Sequence, residues 1–228
     1  EEGQDVRVGG VPAYSTLGWF DDPLPSPVLR NQATQVARLI FHELAHQVLY
    51  VKGDSGFNES FATAVEIVGV ERWLSQQEAI TGDTRARLRY EAARQRKIDF
   101  LALLGSARDR LKSLYESTVS DDQKRSGKQE IIERLRSDYA IIRDGQWGGF
   151  KAYDRWFSQP LGNAHLGAIG AYNDRVDAFL GMLNEVGGDM ADFYALAGQV
   201  AALAPDERNM RLQAYKQRFL ETSLLPAD

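Results

Sequence analysis

Val36-Ala37-Arg38-Leu39-Ile40-Phe41-His42-Glu43-Leu44-Ala45-His46-Gln47-Val48-Leu49, followed closely by Asn58-Glu59-Ser60-Phe61-Ala62-Thr63-Ala64-Val65-Glu66, is the stretch that decides how this chain is read. The mostly apolar first segment predicts a largely buried helix. The second reads as the start of another helix, with Asn58 near its N-cap and Glu59 in its first turn. Between them Lys52-Gly53-Asp54-Ser55-Gly56 supplies a turn that folds the second helix back onto the first.

Polar residues on these two helices carry the chemistry. His42 and His46 stand at i and i+4, so both imidazoles leave the same helix face and can reach one ion at roughly 2.0–2.1 Å. Glu43 lies beside that ion, where a carboxylate can take a proton from a bound water and return it to a departing amine. Catalytic zinc usually keeps three protein ligands and one open position, which makes Glu59 the candidate third ligand. Thr63 and Glu66 share its helix face and can orient His42 or His46 from behind. His-Glu-x-x-His also occurs on ordinary helices. On a buried helix, however, two histidines and a glutamate need partners, and one metal ion would satisfy them together. Two histidines and a glutamate accept several divalent ions besides zinc.

His42-Glu43-Leu44-Ala45-His46-Gln47 with Asn58-Glu59-Ser60-Phe61-Ala62 resembles the gluzincin peptidases, whose third zinc ligand is the glutamate of an Asn-Glu-x-x-Ala segment. The chain is similar, more narrowly, to the bacterial predicted aminopeptidases. Three blocks carry that likeness: residues 9–23, residues 41–73 and residues 163–179. The resemblance implies a zinc-dependent aminopeptidase with one Zn2+ per chain, a peptide substrate, and a place in the bacterial periplasm or cell envelope. It also implies a gluzincin or thermolysin-like core in which an edge strand beside the zinc helix binds substrate backbone by strand addition. Gly9, Gly10 and Ala13 are the candidate substrate-binding residues on such a strand. The connection from His46 to Glu59 is shorter than in the large gluzincin aminopeptidases, and no Gly-Ala-Met-Glu-Asn segment for holding a substrate N-terminus is present.

The other residues set limits. The chain has 228 residues, 43% of them hydrophobic, enough for one good core with a helical lobe attached. A formal net charge of −5 argues against a nucleic-acid partner. With no cysteine, neither disulfides nor thiolate chemistry is available. No apolar run reaches the ~18 residues of a membrane span. Glu1-Glu2-Gly3-Gln4-Asp5-Val6-Arg7-Val8 reads as a strand entered in mid-protein, so an N-terminal portion, which family members carry with an export or lipid-attachment signal, is expected to precede it.

The opening, from Val6 to Trp19, is rich in Val, Gly, Tyr and Thr and predicts a short strand pair or extended loop. Residues 76–139 place Leu88, Ala92, Ile98, Leu101, Leu104, Leu111 and Leu114 at helical spacing. After a break at residues 118–127, Ile131, Ile132, Leu135, Tyr139 and Ile142 continue it. This predicts an amphipathic helical hairpin with a solvated charged face. His165 and Tyr172, seven apart, are the candidate donors to a developing oxyanion, and Asn163 reads as a helix cap. The last stretch predicts two helices split near Pro205, with Phe193, Val200, Met210, Leu212 and Tyr215 in the core.

These readings combine into a mostly α fold, formally α+β with a small N-terminal strand or edge element. It forms a single metallopeptidase catalytic domain over residues 1–228, with a helical hairpin inserted at 77–145. The competing class is a non-catalytic, zinc-stabilised binding or scaffold domain of the envelope that retains the motif.

Overall fold

A computed structural model describes residue 30, residues 32–170 and residues 175–223; the side chains of 168–170 and 223 are not described. Its helices are α1 (Ala33–Val48), α2 (Ser55–Thr81), α3 (Arg85–Glu116), α4 (Asp121–Asp144), α5 (Asp154–Ser158), α6 (Asn163–Gly170), α7 (Val176–Glu185), α8 (Met190–Ala201) and α9 (Pro205–Ser223). The chain divides into two compact units. The described residues of the first are 30, 32–88 and 175–223, and those of the second are 89–170.

In the first unit, α2 is the central element. It buries Phe57, Phe61, Ala62, Ala64, Val65, Val70 and Leu74, more than one stripe of its surface, because α1 covers one side and α7 another. Phe61 lies 5.6 Å from Phe179 and stacks at 5.7 Å on Phe193, ring to ring, while Phe57 meets Phe179 edge-on at 5.0 Å. Such offset and edge-to-face pairs add to the burial of rings that already remove large apolar areas from water. Met182, Ala197, Val200, Leu212 and Tyr215 close the core from α7, α8 and α9. Two glycines allow the closest crossings. A Cβ at Gly69 would meet the Phe41 ring at 2.6 Å, and one at Gly181 would meet the Tyr215 carbonyl oxygen at 2.7 Å.

The second unit is built on α3 and α4, which run antiparallel: Leu114 packs at Gly127 near the turn, and Arg110 pairs with Asp138 further from it. Phe100, Leu104, Ala107 and Leu111 face Ile132, Leu135 and Tyr139. Tyr139 stacks on Phe157 at 3.8 Å and donates its hydroxyl to Asp154 Oδ1. The turn is tighter than the expected break at 118–127. Ser120 caps α4, taking the Gln123 N–H while Gln123 Oε1 takes the Ser120 N–H, so the helix restarts at Asp121.

Three expectations are corrected. The α+β, thermolysin-like core with a strand or edge element is replaced by an all-α fold: among the described residues there is no strand or sheet. Helix faces fill both cores, and α2 is covered by α1 and α7 rather than by a sheet. The segment from Val6 to Trp19, where the strand was expected, lies outside the described residues. Next, α1 is not largely buried. Ala45 and His46 are buried, but Leu44 and Val48 are 50% and 51% exposed, on a side of the helix that α2 does not cover. Finally, Met210 is exposed, whereas Leu212 and Tyr215 are core as expected.

Candidate metal centre

The turn joining α1 to α2 is held by side chains from the start of α2. Asp54, not Asn58, is the N-cap: its Oδ1 accepts the Phe57 N–H at 3.0 Å. Asn58 sits one turn inside, buried, and brackets Val51, accepting its N–H at 2.8 Å and donating to its carbonyl at 2.9 Å. The Asp54 carboxylate also receives Arg175 Nη1 at 2.8 Å and Arg208 Nε at 3.1 Å, which ties the turn to the C-terminal helices of the same unit. Burial pushes the Asp54 carboxyl up, but the Phe57 N–H and the two guanidiniums outweigh it and hold it below its usual range.

This turn brings Glu59 onto the histidine face of α1. Glu59 Oε2 lies 3.3 Å from His42 Nε2, and Oε1 lies 3.8 Å from His46 Nε2. The two imidazoles meet nearly perpendicular, 5.0 Å between centroids. His42, His46 and Glu59 each offer one ligand atom, all within 4.8 Å of one another. Tetrahedral bonds of 2.0–2.1 Å place neighbouring ligand atoms about 3.3 Å apart, so these side chains could hold a metal ion by closing inward on it. Two imidazoles and one carboxylate are also a donor set that such ions accept.

The electrostatics of the group agree with that fit. Burial disfavours a charged His42, yet the carboxylates of Glu59 and Glu66 prevail and raise it to about 9. His46 is pushed down, by burial first and then by the charge on His42. Contact with His42 lowers Glu59 against the opposing effect of burial. The carboxylates that favour a proton on His42 would equally favour a cation beside it.

The neighbouring candidates fall as follows. Glu43 is half-buried on α1, and its charge acts on His46. Glu66, one face-repeat beyond Glu59 on α2, puts Oε2 3.3 Å from His42 Nδ1, angled off the N–H axis, and Oε1 2.6 Å from Arg38 Nε. Thr63 is half-buried between Glu59 and Glu66 on α2, and neither imidazole Nδ1 makes a hydrogen bond to it. His165 belongs to the second unit, where its Nδ1 accepts the Gly162 N–H at 3.3 Å and its ring lies edge-on to Trp156. Asn163 there accepts a hydrogen bond from the Tyr115 hydroxyl at 3.0 Å. Tyr172, Gly9, Gly10 and Ala13 lie outside the described residues. The sequence reading missed Arg38 and the Asp54–Arg175–Arg208 network. Arg38 had a signal, standing four residues before His42 on the same helix. The two C-terminal arginines had none, being more than a hundred residues from Asp54.

Two packed helices converge two imidazoles and a carboxylate on a candidate metal centre, in a structure whose described elements are all helices. The chain belongs to the family described as "Putative aminopeptidase", whose model matches residues 1–212. Neither the comparison with curated proteins nor that with solved structures returned a match.

Proposed function

We propose that this chain is a zinc-dependent peptide hydrolase, an aminopeptidase in keeping with its family, in which His42, His46 and Glu59 hold the metal. The observation that carries the reading is the approach of both histidine Nε2 atoms to one carboxylate, that of Glu59, at 3.3 and 3.8 Å. When bound, zinc would polarise a scissile carbonyl and lower the pKa of a water toward about 7.

The chain's own side chains would do the rest. Glu43 follows His42 directly and acts electrostatically on His46, which suits its carboxylate to accept the proton of the attacking water and pass it to the departing amine nitrogen. Glu66 lies 3.3 Å from the Nδ1 edge of His42, which would favour Nε2 as the ligating nitrogen. Asn58 fixes the turn on which the position of Glu59 depends. Among the described residues no helix is long and apolar enough to cross a membrane. A place in the bacterial envelope or periplasm is part of this proposal, resting on the resemblance of the sequence to the bacterial predicted aminopeptidases.

Glu43→Gln tests the reading. The variant keeps the volume and a hydrogen-bonding side chain but cannot take a proton, so it should bind zinc as the wild type does and lose turnover of a fluorogenic peptide panel by 10²-fold or more, an order-of-magnitude figure for general base catalysis. Equal turnover in the two proteins would refute the mechanism.

A further inference from the structure

We propose that Arg38 is a positioning residue of the metal centre, acting on His42 through Glu66; this rests on the metal reading given above. Arg38 stands one helical turn before His42, so both side chains leave the same face of α1 toward α2. Its Nε donates to Glu66 Oε1 at 2.6 Å, and the other oxygen of that carboxylate lies 3.3 Å from His42 Nδ1. The two oxygens of one carboxylate are thus divided between two residues of one helix.

The division has a physical consequence. The Glu66 side chain is only 10% exposed, and a charged carboxylate at that depth needs compensation. Arg38, 38% exposed, reaches in from the surface and supplies it with a guanidinium at ion-pair distance. With Oε1 held, the carboxylate cannot turn about its last torsion, and Oε2 stays on the Nδ1 edge of His42. That keeps the Nε2 edge of His42 turned toward Glu59, the side from which it would ligate once its proton has left. Without Arg38 the carboxylate loses its partner on Oε1, and the His42 ring is held less firmly in register. The positive charge of a half-exposed guanidinium is screened by solvent, so its repulsion of the ion is the smaller effect.

A plain structural tie between α1 and α2 would show the same contact, and the experiment separates the two roles. Zinc affinity is measured by chelator competition, and metal-free unfolding by urea, for wild type, Arg38→Ala, Arg38→Lys, Glu66→Gln and the Arg38→Ala/Glu66→Gln double variant. Positioning predicts that Arg38→Ala binds zinc roughly ten-fold more weakly, the lower edge of the effect of losing an outer partner. Arg38→Lys should recover most of that loss. With Glu66→Gln already in place, Arg38→Ala should add less than about two-fold, because the connection is already cut. Unchanged zinc affinity in Arg38→Ala overturns the proposal, even if the urea midpoint falls. So does a full additional loss in the Glu66→Gln background. A wild type that takes up no zinc refutes the metal reading itself, and this inference with it.

Discussion

His42 Nε2 and Glu59 Oε2, on two different helices, face each other at 3.3 Å. That separation is an ion pair without a metal and an edge of a coordination tetrahedron with one. The Glu59 contact, which together with Glu66 raises His42 to about 9, marks where a cation can replace a proton.

Zinc uptake should therefore release a proton. His42 is protonated in the metal-free protein at pH 7.5, below its value of about 9, and must give that proton up to ligate. Calorimetric titration in buffers of different ionisation enthalpy should show about one proton released per zinc, with apparent affinity rising between pH 6.5 and 9. Buffer-independent heats at pH 7.5 would show that His42 is not the proton holder. In the metal-free protein the sign for stability is the reverse. A raised histidine stabilises the fold below 6.5, and that contribution fades as pH rises through about 9.

Asp54→Asn isolates the charge at the turn, because asparagine caps a helix as well as aspartate. The variant leaves Arg208, 6% exposed, without its carboxylate partner, and should lose about 3 kcal/mol in urea unfolding at pH 7, as expected for breaking a buried ion pair. The depressed carboxyl also sets a pH window. Its contribution is fully present above the ordinary value of 3.8 and is lost as pH falls through the lower folded value. The difference between wild type and variant should accordingly shrink below about pH 4. A difference that stays constant down to pH 2 would contradict this assignment.

Gly181→Ala sets two effects against each other. Alanine in a helix interior gains about 1 kcal/mol over glycine. The new methyl, however, would stand 2.7 Å from the Tyr215 carbonyl oxygen, so α7 and α9 must separate, at about 1–3 kcal/mol. Net destabilisation of about 1 kcal/mol is expected in the urea midpoint, and a stabilised variant would show that this crossing is looser than described.

What could be read in the sequence, and what could not, follows the range of the forces. That His42, His46 and Glu59 form a group able to hold a metal was legible, because helical spacing alone places the histidines together and a short glycine-containing turn brings Glu59 back. The helices of residues 85–144 were legible from their apolar period, but the start of α4 was not. Ser120 and Gln123 form a capping box inside a polar run that reads as loop. Asn58 was taken for a cap because its type suits one; its side chain instead closes on Val51, seven residues back. The strand element rested on the composition of the opening, which lies outside the described residues, and on the family likeness; the described helices pack their apolar faces without a sheet. Apolar residues lie on several sides of α1, so its pattern does not say which side another helix covers. The exposed Leu44 and Val48 are the result.

The most direct test of the central claim is the metal content of the purified chain, by elemental analysis after incubation with zinc and removal of excess, for wild type and Glu59→Ala. The account predicts about one zinc per wild-type chain and its loss from the variant, whose two histidines alone cannot complete the three protein ligands. A wild type that holds no metal, or a Glu59→Ala protein that holds as much and as tightly, would contradict it.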